Sequence, residues 1–304
     1  MKDSTTRDNH SDFKSGFVTI VGAPNVGKST LLNRLLGEKI SITSKKPQTT
    51  RNRILGVVHR PCSQMVFIDT PGIHKAENIF NIRMVDVALG ALGDADLILL
   101  MIDVTRPDAP SDAILLKTLK EQNRPVILAV NKIDDVEKVK VLKAIEGWAA
   151  LYEFREVVPV SAKQGTQIDT LLEVMEGALP FGPAYFPEDS ITDVPERFIA
   201  SEMIREKVFR LTDQEIPYSI AVTVEEFSED ENKGLVKIYA TIHVERDSQK
   251  GIVIGKGGRK LKQIGEVARK EIERIMGTRV FLKLFVRVQK NWSQDTKALR
   301  RFGY

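Results

Sequence analysis

Eight residues near the start of the chain, Gly22-Ala23-Pro24-Asn25-Val26-Gly27-Lys28-Ser29, have the types and spacing of a phosphate-binding loop, G-x-x-x-x-G-K-[ST]. Polyphosphate binding needs clustered N–H donors, a cation and a hydroxyl for the metal, and this run carries all three. The loop N–H groups, with a helix N-terminus at Thr30 behind them, would surround the β- and γ-phosphates. Lys28 would neutralise those phosphates, and the Ser29 hydroxyl would ligate Mg²⁺. Such a loop works only between a strand and a helix. Residues 17–21 are apolar and β-branched, as in a buried strand, and residues 30–36 are good helix formers that stop at Gly37. The chemistry implied is binding of a nucleoside triphosphate.

Further strand ends carry further chemistry. Residues 64–68 run into Asp69-Thr70-Pro71-Gly72, residues 126–130 open into Asn131-Lys132-Ile133-Asp134, and residues 157–160 lead to Ser161-Ala162-Lys163. Residues 54–58 and 97–102 read as additional strands, with helices expected over 84–92, 111–120, 137–151 and 168–178. Alternating strands and helices imply a mostly parallel sheet covered on both faces. Each motif lies just beyond a strand C-terminus, where such sheets bind ligands. Residues 41–53 are polar and aperiodic, and read as a loop.

GxxxxGKS, DTPG, NKID and SAK in this order resemble a Ras-like P-loop GTPase domain. The resemblance implies GTP/GDP as the nucleotide and Mg²⁺ as the ion. Asp69 would hold Mg²⁺ through water, and the Gly72 N–H would contact the γ-phosphate. The Asp134 carboxylate would accept from guanine N1–H and N2–H₂, a pairing that adenine cannot supply. Asn131 would meet the base edge and brace the loops, Lys132 would lie over the base, and the Ala162 N–H, within Ser161-Ala162-Lys163, would reach the guanine oxygen. Thr49 and Thr50 both qualify as the threonine that senses Mg²⁺ and the γ-phosphate. Thr50 is favoured because related GTPases place it directly before an arginine. Lys28, Thr50 and Gly72 form the expected catalytic set, and Ser29, Thr50 and Asp69 the metal set. Ile73 stands where Ras-like enzymes have a water-orienting glutamine, which implies slow basal turnover. Asn25 suggests K⁺ as an additional ion, the alternative being a loop residue chosen for unusual dihedrals.

Residues 180–195 carry four prolines and no periodicity, and read as a linker. Beyond them Ala200, Ile204, Val208 and Leu211 share a helical face. Residues 218–224 and 235–244 alternate as strands, joined by an acidic turn over 228–232 that closes at Gly234. A helical pattern from Leu261 to Ile275 follows, and then alternation over 280–289. The order α-β-β-α-α-β, with Gly255-Lys256-Gly257-Gly258 between the last two helices, resembles an α+β type II KH domain. Glycines there let a nucleic-acid backbone approach closely, while Lys256, Arg259 and Lys262 add positive charge.

Charge agrees with that assignment. From residue 246 onward sixteen Lys/Arg face five Asp/Glu, a surplus of +11, whereas the whole 304-residue chain carries +4 and the remainder therefore −7. A basic end on an acidic body points to a polyanionic partner. Composition is that of a soluble globular protein with two cores. The single cysteine, Cys62, excludes an internal disulfide and fits a reducing cytoplasm. The expected division is a leader over 1–15 without regular structure, a G domain over 16–180, a linker over 181–195, a KH domain over 196–290 and a basic tail over 291–304.

The combination resembles Era-type GTPases along almost the whole chain. The resemblance implies a monomeric small-subunit (30S) assembly factor that binds 16S rRNA near its 3′ end, is cytoplasmic and contacts the membrane peripherally. No hydrophobic anchor for that contact is visible. Two other readings compete. One is an RNA-binding module in which GTP only locks the fold. The other is an RNA-modification GTPase, disfavoured because those often carry a C-terminal cysteine.

Overall fold

The computed structural model describes residues 12–44, 49–76, 78–212 and 220–304. The expectations for residues 1–11, for Lys45 to Gln48 and for strand residues Tyr218 and Ser219 lie outside the described residues. The first half is a six-stranded sheet in the order β2-β3-β1-β4-β5-β6. Its strands are β1 (Lys14–Val21), β2 (Ile54–Arg60), β3 (Ser63–Asp69), β4 (Leu97–Asp103), β5 (Val126–Asn131) and β6 (Glu156–Val160). All neighbours are parallel except β2 and β3, which are antiparallel and joined by the turn at Pro61 and Cys62. β3, β4 and β5 are buried along their whole length, which explains their unbroken apolar runs. Helices α1 (Lys28–Leu36), α2 (Ile79–Gly93), α3 (Ala109–Lys120), α4 (Lys138–Ala149) and α5 (Ile168–Ala178) cover the two faces. β1 starts at Lys14, paired with Ser63, so Lys14 and Ser15 belong to the sheet and not to the expected leader.

The second half has α6 (Glu196–Leu211), β7 (Ala221–Asp230), β8 (Leu235–Val244), α7 (Asp247–Ile254), α8 (Arg259–Met276) and β9 (Arg279–Val288). β7 and β8 are antiparallel, and β8 and β9 parallel. The helices bury Met203, Ile204, Val253, Ile264 and Ala268 on one face of the sheet, against Ile238, Ala240 and Val280. The acidic turn is shorter than expected, because Ser228 to Asp230 still pair with β8.

The segments read as tail and linker both pack onto the first domain. In the basic tail over 291–304, a 3₁₀ turn at Trp292–Gln294 and α9 (Thr296–Arg301) bury Trp292, Leu299 and Phe302 against Phe80 and Met84 of α2. The linker is strapped to the first sheet. Gln64 accepts from the Tyr185 and Phe186 N–H groups, the Val57 N–H donates to the Ile191 carbonyl at 2.9 Å, and Phe186 packs with Leu55, Val57 and Val66.

The halves meet at α6, whose residues from Ile199 to Phe209 are all buried. Its polar residues face the first domain in pairs. Glu206 binds Lys39 at 2.7 Å and the Thr43 N–H at 3.0 Å, and Lys39 also reaches Glu271 at 2.5 Å. Burial works against ionised Glu206, but the Lys207 and Lys39 ammonium groups outweigh it and hold the carboxyl below its usual range.

Candidate active site and nucleic-acid interface

A cleft of about 1450 Å³ opens above the C-terminal ends of β1, β3, β4 and β5. The loop from Ala23 to Thr30, Thr49, Thr50, Gly72, Asn131, Lys132, Asp134, Ala162 and Lys163 line it. At Gly22, just before this loop, a Cβ would fall 2.3 Å from the Met101 carbonyl oxygen. Lys28 opens α1 and is buried, its Nζ donating to the carbonyls of Gly22 at 3.0 Å and Ala23 at 2.9 Å. Burial lowers its pKa to about 8, with Asp69 acting in the opposite direction. A polyphosphate in the cleft would replace the water that this cation has lost.

The expected metal residues converge. The Ser29 hydroxyl donates to Asp69 Oδ2 at 2.7 Å and shares a 2.7 Å hydrogen bond with the Thr50 hydroxyl. Thr50, not Thr49, is the threonine brought to Ser29. The Thr49 carbonyl instead accepts from Arg205 at 2.6 Å. Asp69 also accepts from the Ser41 hydroxyl at 3.0 Å, a partner that the sequence reading missed. Burial pushes the Asp69 carboxyl up, its hydrogen bonds and Lys28 pull it down, and its buried Oδ1 has no hydrogen-bond donor among the described residues. An orphaned buried carboxylate oxygen beside two hydroxyls fits a hard divalent cation, so the residues present suit Mg²⁺.

At the other end the residues expected to read the base are braced. Asn131 donates from Nδ2 to the Val26 carbonyl at 2.7 Å and accepts the Ala162 N–H at 3.0 Å, joining three loops. The Ala162 N–H expected at the guanine oxygen is thus engaged by Asn131 in this structure. Lys132 binds Asp103 at 2.5 Å and the Asn25 carbonyl at 2.9 Å. Asp103 escaped the sequence reading, although it ends an apolar strand as Asp69 does and carried the same signal. Asp134 sits on a 3₁₀ turn at the cleft wall with its side chain exposed. Ser161 is buried and its hydroxyl caps the Gln164 N–H, while the Lys163 carbonyl accepts from Arg34.

Gly72 has no room for a side chain, since a Cβ would meet the Pro24 backbone at 2.7 Å. The next residue, Ile73, is fully buried with Val21, Ala88 and Leu100, while its N–H donates to the Gly22 carbonyl. The side chain at the expected water-orienting place therefore points into the core.

In the second half Gly255, Gly257 and Gly258 have φ of +69°, +60° and +77°, so the turn between α7 and α8 needs glycine. Lys256, Gly257, Arg259 and Lys262 are exposed there, and Lys262 is 4.0 Å from Glu266. Basic side chains around a bare backbone loop can receive phosphates.

Comparison with known proteins agrees with this geometry. A family described as "50S ribosome-binding GTPase" matches residues 17–132, and the KH domain family matches residues 215–293. The chain is 58% identical over 292 residues to GTPase Era of Geotalea uraniireducens, covering 96% of this chain and 98% of that one. It is 56% identical to GTPase Era of Geobacter metallireducens with the same coverage. Among solved structures it resembles Aquifex aeolicus Era bound to GDP and AlF₄⁻, with TM-score 0.92, 43% identity and coverage of 96% and 99%. It is equally similar, at 44% identity, to Era in complex with MgGDPNP and nucleotides 1506–1542 of 16S ribosomal RNA. With a Ras-like sheet carrying the nucleotide motifs and a KH domain behind it, the chain belongs to the Era family of GTPases.

Proposed function

We propose that this GTPase uses its nucleotide state to time binding of the 3′ region of 16S rRNA during assembly of the small ribosomal subunit. One observation carries the reading: Phe209, Arg210 and Thr212 at the end of α6 line the nucleotide cleft itself. Arg205 of the same helix holds the carbonyl of Thr49, the neighbour of Thr50. A change at Thr50 is therefore felt by the helix that supports the RNA-binding sheet. The solved relative with MgGDPNP and rRNA supplies the class of RNA.

Ser29, Thr50 and Asp69 would hold Mg²⁺, which supplies charge neutralisation on the β- and γ-phosphates. Lys28 and the loop N–H groups hold the remaining charge. Asn25 sits at φ +64° with its carbonyl tied to Lys132, which leaves the role of its side-chain oxygen as a K⁺ ligand to a salt test. Hydrolysis should run faster in K⁺ than in Na⁺, and Asn25→Ala should erase the difference.

The deciding experiment measures affinity for RNA 1506–1542 with a GTP analogue and with GDP, and hydrolysis with and without that RNA. A nucleotide-dependent affinity is expected, and Gly257→Asp should lose RNA while keeping GTP. Equal RNA affinity in both nucleotide states would leave GTP as a lock on the fold.

A further inference from the structure

β9 is an edge strand of the second sheet, with Val280, Leu282, Leu284 and Val286 turned toward the helices. Alternation puts Phe281, Lys283 and Phe285 on the opposite face. Among the described residues no helix covers the centre of that face, and Phe281 and Phe285 are 46% and 45% exposed. Tyr239, opposite Lys283 in the register, joins them: its ring is 6.0 Å from that of Phe281, and Lys283 Nζ lies 5.9 Å from it and 5.4 Å from the Phe285 ring.

Charge on this face is segregated. β9 carries exposed Arg279, Lys283 and Arg287, whereas the acidic residues Glu226 and Asp230 lie on β7, across β8, paired there with Tyr239 and Leu235, and Asp230 is ion-paired with Lys237 of β8. Basic residues alone would suit an edge strand that must avoid pairing with other chains. Half-exposed phenylalanines on both sides of Lys283 work against that purpose, so edge protection does not account for them. Flat rings interleaved with cations are what unpaired nucleotides use: bases stack and phosphates pair with the charges. Phe281 and Phe285, four residues apart, stand about 13 Å from each other along the strand, so two separated bases can be held with Lys283 between them.

We infer that the outer face of β8 and β9 is a second single-stranded RNA surface, distinct from the Gly255-Lys256-Gly257-Gly258 loop on the helix side. It stacks bases on Phe281, Tyr239 and Phe285. This rests on the RNA-binding reading above and extends it to a surface around the sheet edge.

The test uses the full chain and RNA 1506–1542 in fluorescence anisotropy at fixed salt. The double variant Phe281→Leu/Phe285→Leu keeps apolar bulk without an aromatic face and should bind about tenfold more weakly or worse. Phe281→Tyr/Phe285→Tyr should stay within about twofold of the parent. Unchanged GTP affinity and melting temperature confirm folding, and Lys283→Gln should lower the salt slope by about 1 even if the double variants fold poorly. Parental affinity of the leucine variant overturns the surface. If Gly257→Asp then abolishes binding, RNA binding stands and only this inference falls; if neither changes affinity, both fall. Self-association of the parent that the leucine variant abolishes would make the face an interface between copies, which also overturns it.

Discussion

Arg205, buried in α6, donates a 2.6 Å hydrogen bond to the carbonyl of Thr49, so the loop that presents Thr50 to Ser29 is fixed by a helix of the other domain. Arg205 is itself held by Glu202 and lies 5.1 Å over the Phe209 ring. Removing it would strand a buried carboxylate. Arg205→Ala should lower stability by about 3 kcal/mol in urea titration. Arg205→Lys should rescue little, because an ammonium cannot reproduce the fork. A loss below 0.5 kcal/mol would show the ion pair to be dispensable.

Asp134→Asn should reduce GTP affinity at least a hundredfold and create binding of xanthosine triphosphate, about the range for a site built around one hydrogen-bonding pattern. The amide donates where xanthine offers a carbonyl. Competition between the two nucleotides reads it directly, and unchanged GTP preference removes Asp134 from base reading.

Ile73→Gln should not raise turnover. Ile73 is fully buried among apolar side chains, so a glutamine there points into the core and away from the phosphates. Leaving an amide unpaired in that place should cost about 1–3 kcal/mol of stability. Single-turnover hydrolysis and thermal melting measured together test it, and a tenfold faster rate would place the side chain in the cleft.

Nucleotide affinity should fall as pH rises from about 8 toward 10.5. Burial lowers Lys28 to about 8 in the free protein, and bound phosphates would raise it again. The complex then holds more protons than the free chain in this window, so raising pH favours dissociation. For folding the sign is opposite: the unfolded lysine, near 10.5, binds more protons than the folded one, so this group's contribution improves with pH between the same limits. Calorimetry in two buffers of different ionisation enthalpy should show proton uptake on binding at pH 8.5, absent in Lys28→Met if that variant binds at all.

The strand ends and the loop from Gly22 to Ser29 were legible because buried parallel strands are written as unbroken apolar runs followed by polar motifs. Strands β8 and β9 were legible for a related reason, since their alternation separates two faces. The role of Arg51 was not legible. It is buried, donates to the Ile220 carbonyl at 2.6 Å, and lies 4.8 Å from the Phe80 ring and 5.1 Å from that of Tyr304. Nothing local marks an arginine for burial, because its hydrogen-bond partners Ile220 and Tyr304 are some 170 and 250 positions away. The packing of residues 291–304 was not legible for the same reason: their charge is visible in sequence, whereas Trp292 packs with Phe80 and Met84 of α2. Ser41 on Asp69 likewise depends on a chain path that no periodicity encodes.

The strap over 181–195 bears on how the GTPase half can be handled alone. β2 forms the outer rim of the first sheet, and the Ile191 carbonyl and Thr192 hydroxyl occupy polar groups of Val57 and Leu55 along it. A fragment cut after Pro180 would bare that rim together with Val57 and Val66, and chains of that length should add to one another sheet by sheet. A fragment carried through Val194 keeps its own selvedge, and is the piece to express when the first domain is wanted by itself.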